Sequence, residues 1–162
     1  MQKKLYLVRH AKAEDHSFAK HDHERDIIDK GRLRATQIAQ DLAKELTLTE
    51  HAKVIASTAN RAKQTAELFC DILGYPAEKI QSTKSIYEAF YLDILRSINK
   101  VGGDVDTLLV FGHNPGLSDL TNYLTDSYID LKTSHVAVIT LEEGIDFAAL
   151  SGSTAKLSHI LT

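Results

Sequence analysis

The chain has 162 residues, 43% of them apolar and 25% charged, and its 19 Lys and Arg against 22 Asp and Glu give a net charge of −3. This is the balance of one globular domain over residues 1–162, and it excludes a disordered chain or a broad basic surface for nucleic acid. A single cysteine, Cys70, excludes an intrachain disulfide and C-x-x-C metal chemistry, and the short apolar run before Arg9 is too small for a signal-peptide core or a membrane span, so a reducing, cytoplasmic setting without membrane contact is expected.

Residues 4–8 are a continuous apolar run that reads as a buried strand and ends at Arg9-His10. Residues 14–30, polar and histidine-bearing, read as the longest loop. Ala35, Ile38, Ala39, Leu42 and Leu46 then recur at helical steps. Lys53 to Ala56 is a weaker strand, followed by a helix marked by Ala62, Ala66, Phe69, Ile72 and Leu73, with Asn60 placed to cap its start. A helix over Phe90 to Ile98 comes next, with Tyr87, Phe90 and Tyr91 expected in the core or on a helix face. Residues 107–111 are a second strongly apolar strand running into G-H-N-P-G, where Asn114 suits a cap and Pro115 the first helical position. Three strand-like runs, 135–141, 146–150 and 155–161, close the chain. Alternating strands and helices define an α/β class in three α/β/α layers, with a mostly parallel central sheet and antiparallel or edge strands toward the C-terminus.

Three of these strands run into unusual residues: Arg9-His10, then S-T-A-N-R ending at Arg61, then G-H-N-P with His113. A buried strand end cannot leave such side chains without water, a counter-charge or an anionic ligand as partner. In open α/β sheets, ligands collect in the crevice outside the carboxyl ends of the strands. A crevice holding Arg9, His10, Arg61 and His113 is strongly cationic. Two guanidinium forks suit the oxygens of a tetrahedral dianion, and two imidazoles add a donor and a nucleophile, so the expected ligand is a phosphoryl group. Arg61 also opens a helix, where the positive dipole end favours an anionic partner.

The segments L-V-R-H-A, S-T-A-N-R-A-K-Q-T-A and V-F-G-H-N-P, in this order, resemble the histidine phosphatase, or phosphoglycerate mutase-like, superfamily. The short length and D-K-G-R-L-R-A-T-Q-I-A after R-D-I-I resemble its small SixA-type phosphohistidine phosphatase branch. The resemblance implies His10 as nucleophile, Arg9 and Arg61 as phosphate clamps and His113 as a stabilising donor. It implies a hydrolase acting on phosphohistidine or small phosphomonoesters through a phosphohistidine on His10, with a phosphorylated protein or metabolite as partner and phosphate as product. No cofactor or metal is expected, because fixed cations supply the charge.

Several residues keep two readings. Glu88 stands where many family members place a proton donor, yet with Ser85 it also forms a capping box S-x-x-E for the next helix. Arg25, in a segment resembling the family's R-P-L-T, belongs near the phosphate or in a surface salt bridge. Ser57 either donates to phosphate or satisfies a turn. His16, His21 and His23 match no zinc spacing, and Cys70 reads as core. Two other functions fit the same cations. One is a phosphoglycerate mutase-like phosphomutase, which needs a lid that no long insertion supplies; the other is a non-catalytic module that binds phosphorylated partners.

Overall fold

A computed structural model describes residues 2–162. The apolar runs become a six-stranded sheet in the order β3-β2-β4-β1-β5-β6, with β1 at Lys4–Arg9, β2 at Ala52–Ser57, β3 at Gln81–Thr83, β4 at Thr107–Gly112, β5 at Val136–Leu141 and β6 at Ala155–Leu161. The pairs β1–β4, β2–β4 and β2–β3 are parallel, whereas β5 lies antiparallel to both β1 and β6. The expected mostly parallel centre and antiparallel C-terminal side are therefore both present.

Side-chain alternation explains the layers. Leu5 and Leu7 of β1 and Leu108 and Val110 of β4 face one core, while Tyr6, Val8, Leu109 and Phe111 face another. Helices α1 (Asp29–Glu45) and α2 (Asn60–Leu73) cover the second core; α3 (Tyr91–Asn99) and α4 (Gly116–Thr125) cover the first. In the second core Phe69 and Phe111 meet edge to face, with ring centroids 5.4 Å apart. Both rings are fully buried. Each such side chain contributes roughly 1.5–3 kcal/mol through removal from water. No helix among the described residues is long and apolar enough to cross a membrane.

Three local expectations are corrected. Residues 146–150 form a 3-10 turn at Phe147–Ala149 rather than a strand, with the Asp146 side chain accepting from the Ala149 N–H. The carbonyls of Phe147 and Leu150 accept from Asn99 Nδ2 at 2.8 and 3.1 Å, so no neighbouring strand is needed to satisfy them. Asn60 is the first residue of α2, not its cap, and its amide donates instead to Glu24 O and Asp26 Oδ1. Ser85 and Glu88 form no capping box: Thr83 caps the 3-10 turn at Lys84–Ile86, and Glu88 sits outside any helix with φ 50°.

Candidate active site

The carboxyl ends of β1, β2 and β4 open onto one cleft of about 350 Å³ whose walls include Arg9, His10, Arg25, Arg61, Glu88 and His113. Six of the seven expected site residues thus meet there. Ser57 lies behind His113 instead: it is fully buried, its Oγ accepts from Ala59 N–H at 3.2 Å, and it sits 2.8 Å from His113 Nε2. Its contact is with the imidazole rather than with the cleft.

The end of β1 is held from several sides. His10 N–H donates to Gly112 O at 3.0 Å, and Ser134 N–H reaches Arg9 O at 3.0 Å and His10 O at 3.1 Å. Ala11 N–H donates to Thr65 Oγ1 at 2.9 Å, and the Thr65 hydroxyl donates to Arg61 O at 2.7 Å. One threonine therefore couples the segment after His10 to the helix that carries Arg61.

His10 Nδ1 lies 2.8 Å from Ala11 O. A carbonyl only accepts, so the proton resides on Nδ1 and the Nε2 lone pair is left for chemistry. Burial, with the charges of Arg61, Arg9 and Arg25, outweighs that hydrogen bond and lowers the His10 pKa to about 4. Burial, then the neighbouring His10 and Arg61, lowers His113 to about 3. The two rings stand 5.2 Å apart and are neutral at physiological pH. The contact of Ser57 Oγ with His113 Nε2 at 2.8 Å holds that ring in place, whichever partner supplies the proton.

A residue that sequence patterning missed organises the cleft. Asp22 Oδ2 accepts from Arg61 Nη2 at 3.0 Å and from the Tyr87 hydroxyl at 2.6 Å, while its Oδ1 accepts from Arg25 Nε at 3.0 Å. Arg61 Nη1 also donates to the Asp22 carbonyl at 2.7 Å. Burial raises the Asp22 pKa, but the hydrogen bonds from Tyr87 and Arg61 and the Arg61 charge win and hold it well below the usual carboxylate range. Tyr87, whose own pKa is pushed up to about 12 by burial and by Asp22, keeps its proton and remains a donor. Its ring stacks edge-on between His23 and His113, whereas Phe90, expected in the core or on a helix face, stands just before α3 and is 78% exposed. The only sequence signal for Asp22 was its place three residues before Arg25.

The loop carrying Asp22 is itself pinned. Lys20 Nζ bridges Glu14 and Asp26 at 2.7 and 2.9 Å, and Asp26 accepts from both Asn60 and Gln64 on α2. Arg9 forms no ion pair among the described residues, and its Nη1 donates to Leu131 O at 3.0 Å. Five buried side-chain polar atoms lack a partner among the described residues, and three of them are Arg9 Nε, Arg61 Nε and His113 Nδ1. The residues of all three line the cleft.

A parallel-centred α/β sheet whose strand ends bring a neutral imidazole and two guanidinium groups into one cleft is of the class that suits a phosphoryl group. Residues 5–93 match the model of the histidine phosphatase superfamily (branch 1), and the chain belongs to that superfamily. Among solved structures it is similar to one described as a phosphohistidine phosphatase SixA from Nakamurella multipartitia, at 24% identity and TM-score 0.84, covering 100% of this chain and 96% of the other. It is also similar to the protein histidine phosphatase SixA complexed with tungstate, at 19% identity and TM-score 0.81, over 98% and 96% of the two chains. A mycobacterial glucosyl-3-phosphoglycerate phosphatase aligns at 12% identity and TM-score 0.64, over 98% of each chain. These likenesses establish the SixA-like fold. An uncharacterized chloroplastic protein of Arabidopsis thaliana is 24% identical over 147 residues, covering 86% of this chain and 66% of that protein, so the chain spans just under two thirds of this relative's length.

Proposed function

We propose that the protein is a metal-independent histidine phosphatase that hydrolyses phosphohistidine or small phosphomonoesters through a phosphohistidine on His10. The observation that carries this reading is the convergence of Arg9, Arg61 and His113 on the cleft that holds a neutral, oriented His10. The tungstate seen with one SixA neighbour is a tetrahedral oxyanion of the same shape class.

In the first step His10 Nε2 attacks phosphorus, the new P–N bond forms, and the bond to the leaving oxygen or nitrogen breaks with its electron pair. Glu88, exposed on the cleft wall, delivers the proton when the leaving group is an alkoxide. A leaving imidazole needs less help. Water then attacks phospho-His10, the P–N bond breaks, and phosphate departs. Most of the acceleration comes from holding the group in line and stabilising its equatorial oxygens through Arg9, Arg61 and His113. Ser57 contributes by fixing the His113 ring, and Arg25 by holding Asp22 against Arg61. A cytoplasmic location, in keeping with the single free Cys70, belongs to the same proposal.

The test is hydrolysis of an aryl phosphate in excess chelator by wild type and His10→Ala. Turnover by the wild type and its loss in the variant are expected. Equal rates, or a strict metal requirement, would overturn the proposal.

A further inference from the structure

Next to the cleft, and sharing Lys12 and Thr133 with it, lies a second pocket of about 380 Å³ lined by Lys30, Leu33, Arg34 and Ser134. Its geometry follows from one glycine. A Cβ on Gly31 would stand 2.2 Å from the Lys12 carbonyl oxygen, so only glycine lets the first turn of α1 close onto that backbone. Ile28 N–H donates to the same oxygen at 3.0 Å. Lys30 and Arg34 then fall four residues apart on one face of α1, beside Lys12.

The charged groups of this mostly apolar pocket are all cationic and unspent. Lys12, Lys30 and Arg34 form no ion pair among the described residues, and Asp29, which precedes Lys30, does not line the pocket. Ser134 is 1% exposed, and its hydroxyl is another of the buried polar atoms without a partner. The same segment senses the local charge: burial, then Arg34 and Lys132, hold the His135 imidazole below its ordinary pKa. Leu33, 63% exposed, and the lysine stems give the pocket an apolar wall.

We propose that this pocket is a leaving-group subsite that takes a second anionic group, a carboxylate or a phosphate, carried on an apolar spacer by the same substrate whose phosphoryl group enters the cleft. The subsite rests on the phosphatase reading and narrows it to substrates with two anionic ends. Its backbone continuity with the nucleophile, through Ser134 N–H on Arg9 O and His10 O, means that both ends of the substrate are referenced to one strand terminus.

The test compares two phosphohistidine peptides identical except for Glu or Gln flanking the phosphohistidine, and a sugar bisphosphate against its monophosphate, with an aryl phosphate as reference. Wild type is set against the double variant Lys30→Gln/Arg34→Gln, both positions being exposed helix residues outside the catalytic cleft. The wild type should prefer the Glu peptide, the bisphosphate or both through a lower KM. The double variant should lose that preference by about 5- to 30-fold in KM with kcat unchanged, as two partly exposed charge contacts imply. Its kinetics on the aryl phosphate and the Gln peptide should not change. Loss confined to the peptide pair assigns the anion to an acidic side chain, and loss confined to the bisphosphate assigns it to a small metabolite. A wild type that cleaves the aryl phosphate yet shows no anionic preference, or a double variant that affects all substrates alike, overturns the subsite while leaving the phosphatase reading intact. Failure to cleave any substrate overturns both.

Discussion

Replacing Asp22 by alanine removes the acceptor shared by Arg61, Tyr87 and Arg25. Arg61, only 3% exposed, would keep the Asp22 carbonyl at 2.7 Å but lose its counter-charge. Breaking a buried pair typically costs about 3–5 kcal/mol; the surviving carbonyl bond and the partial exposure of Asp22 bring the expectation down to about 2 kcal/mol. For a chain of this size that is roughly 4–8 °C in Tm. The depressed Asp22 carboxyl contributes its full stability above the unfolded carboxylate range and loses it as pH falls from there toward its much lower folded value. The gap between wild type and variant should therefore be full at pH 7 and shrink below about pH 4. Inorganic phosphate supplies replacement acceptors to the freed cations, so it should raise the Tm of Asp22→Ala more than that of wild type. Asp22→Asn, which keeps an acceptor without the charge, should fall between them. Thermal unfolding followed by circular dichroism, with and without phosphate, reads all three. An Asp22→Ala protein with unchanged Tm, or one that phosphate stabilises less than wild type, would refute the view that Asp22 holds the phosphate-facing arginines in place.

Other expectations follow from the same cleft. Ring resonances of His10 and His113 should show no titration above about pH 5, because burial holds both rings neutral at about 4 and about 3; midpoints near pH 6.5 by NMR would contradict the buried, cation-flanked geometry. Since the unfolded chain binds protons at pH values where these rings do not, stability should fall as pH drops from about 6.5 toward 4. Glu88→Gln should lower kcat on alkyl phosphates about 100-fold and spare phosphohistidine, and a variant as fast as wild type on alkyl phosphates would remove Glu88 as proton donor. Gly31→Ala forces a Cβ against the Lys12 carbonyl and should cost about 1–3 kcal/mol in urea unfolding; a variant as stable as wild type would show that α1 does not close onto the Lys12 backbone as described.

What was legible in the sequence depended on how local its cause was. Strands β1 and β4 were readable because both faces are buried, which demands unbroken apolar runs. The cleft cations were readable because each follows a strand end, and topology brings strand ends together. The run 146–150 was misread because a buried Phe147–Leu150 turn needs the same apolar residues as a strand; what distinguishes it is Asn99, 48 residues earlier, accepting the role of donor to Phe147 O. Asn60 reads as a cap in sequence because helix caps and loop anchors use the same amide, and only the position of Asp26 decides between them. Asp22 left almost no trace, since a polar loop has no periodicity and its value lies in contacts with Arg61 and Tyr87, 39 and 65 residues away. Glu14, silent in the strand-end motif, proves to be a loop anchor through Lys20 and Asp26.

The central claim is that His10 Nε2 carries the phosphoryl group during turnover. Rapid acid-free quenching of the enzyme with a labelled phosphohistidine or aryl phosphate substrate, followed by peptide mapping, addresses it directly. The account predicts a base-stable, acid-labile phosphoryl adduct on the peptide containing His10, formed within one turnover and absent from His10→Ala. A wild-type enzyme that releases phosphate with no such adduct, or a label that persists in His10→Ala, would contradict it.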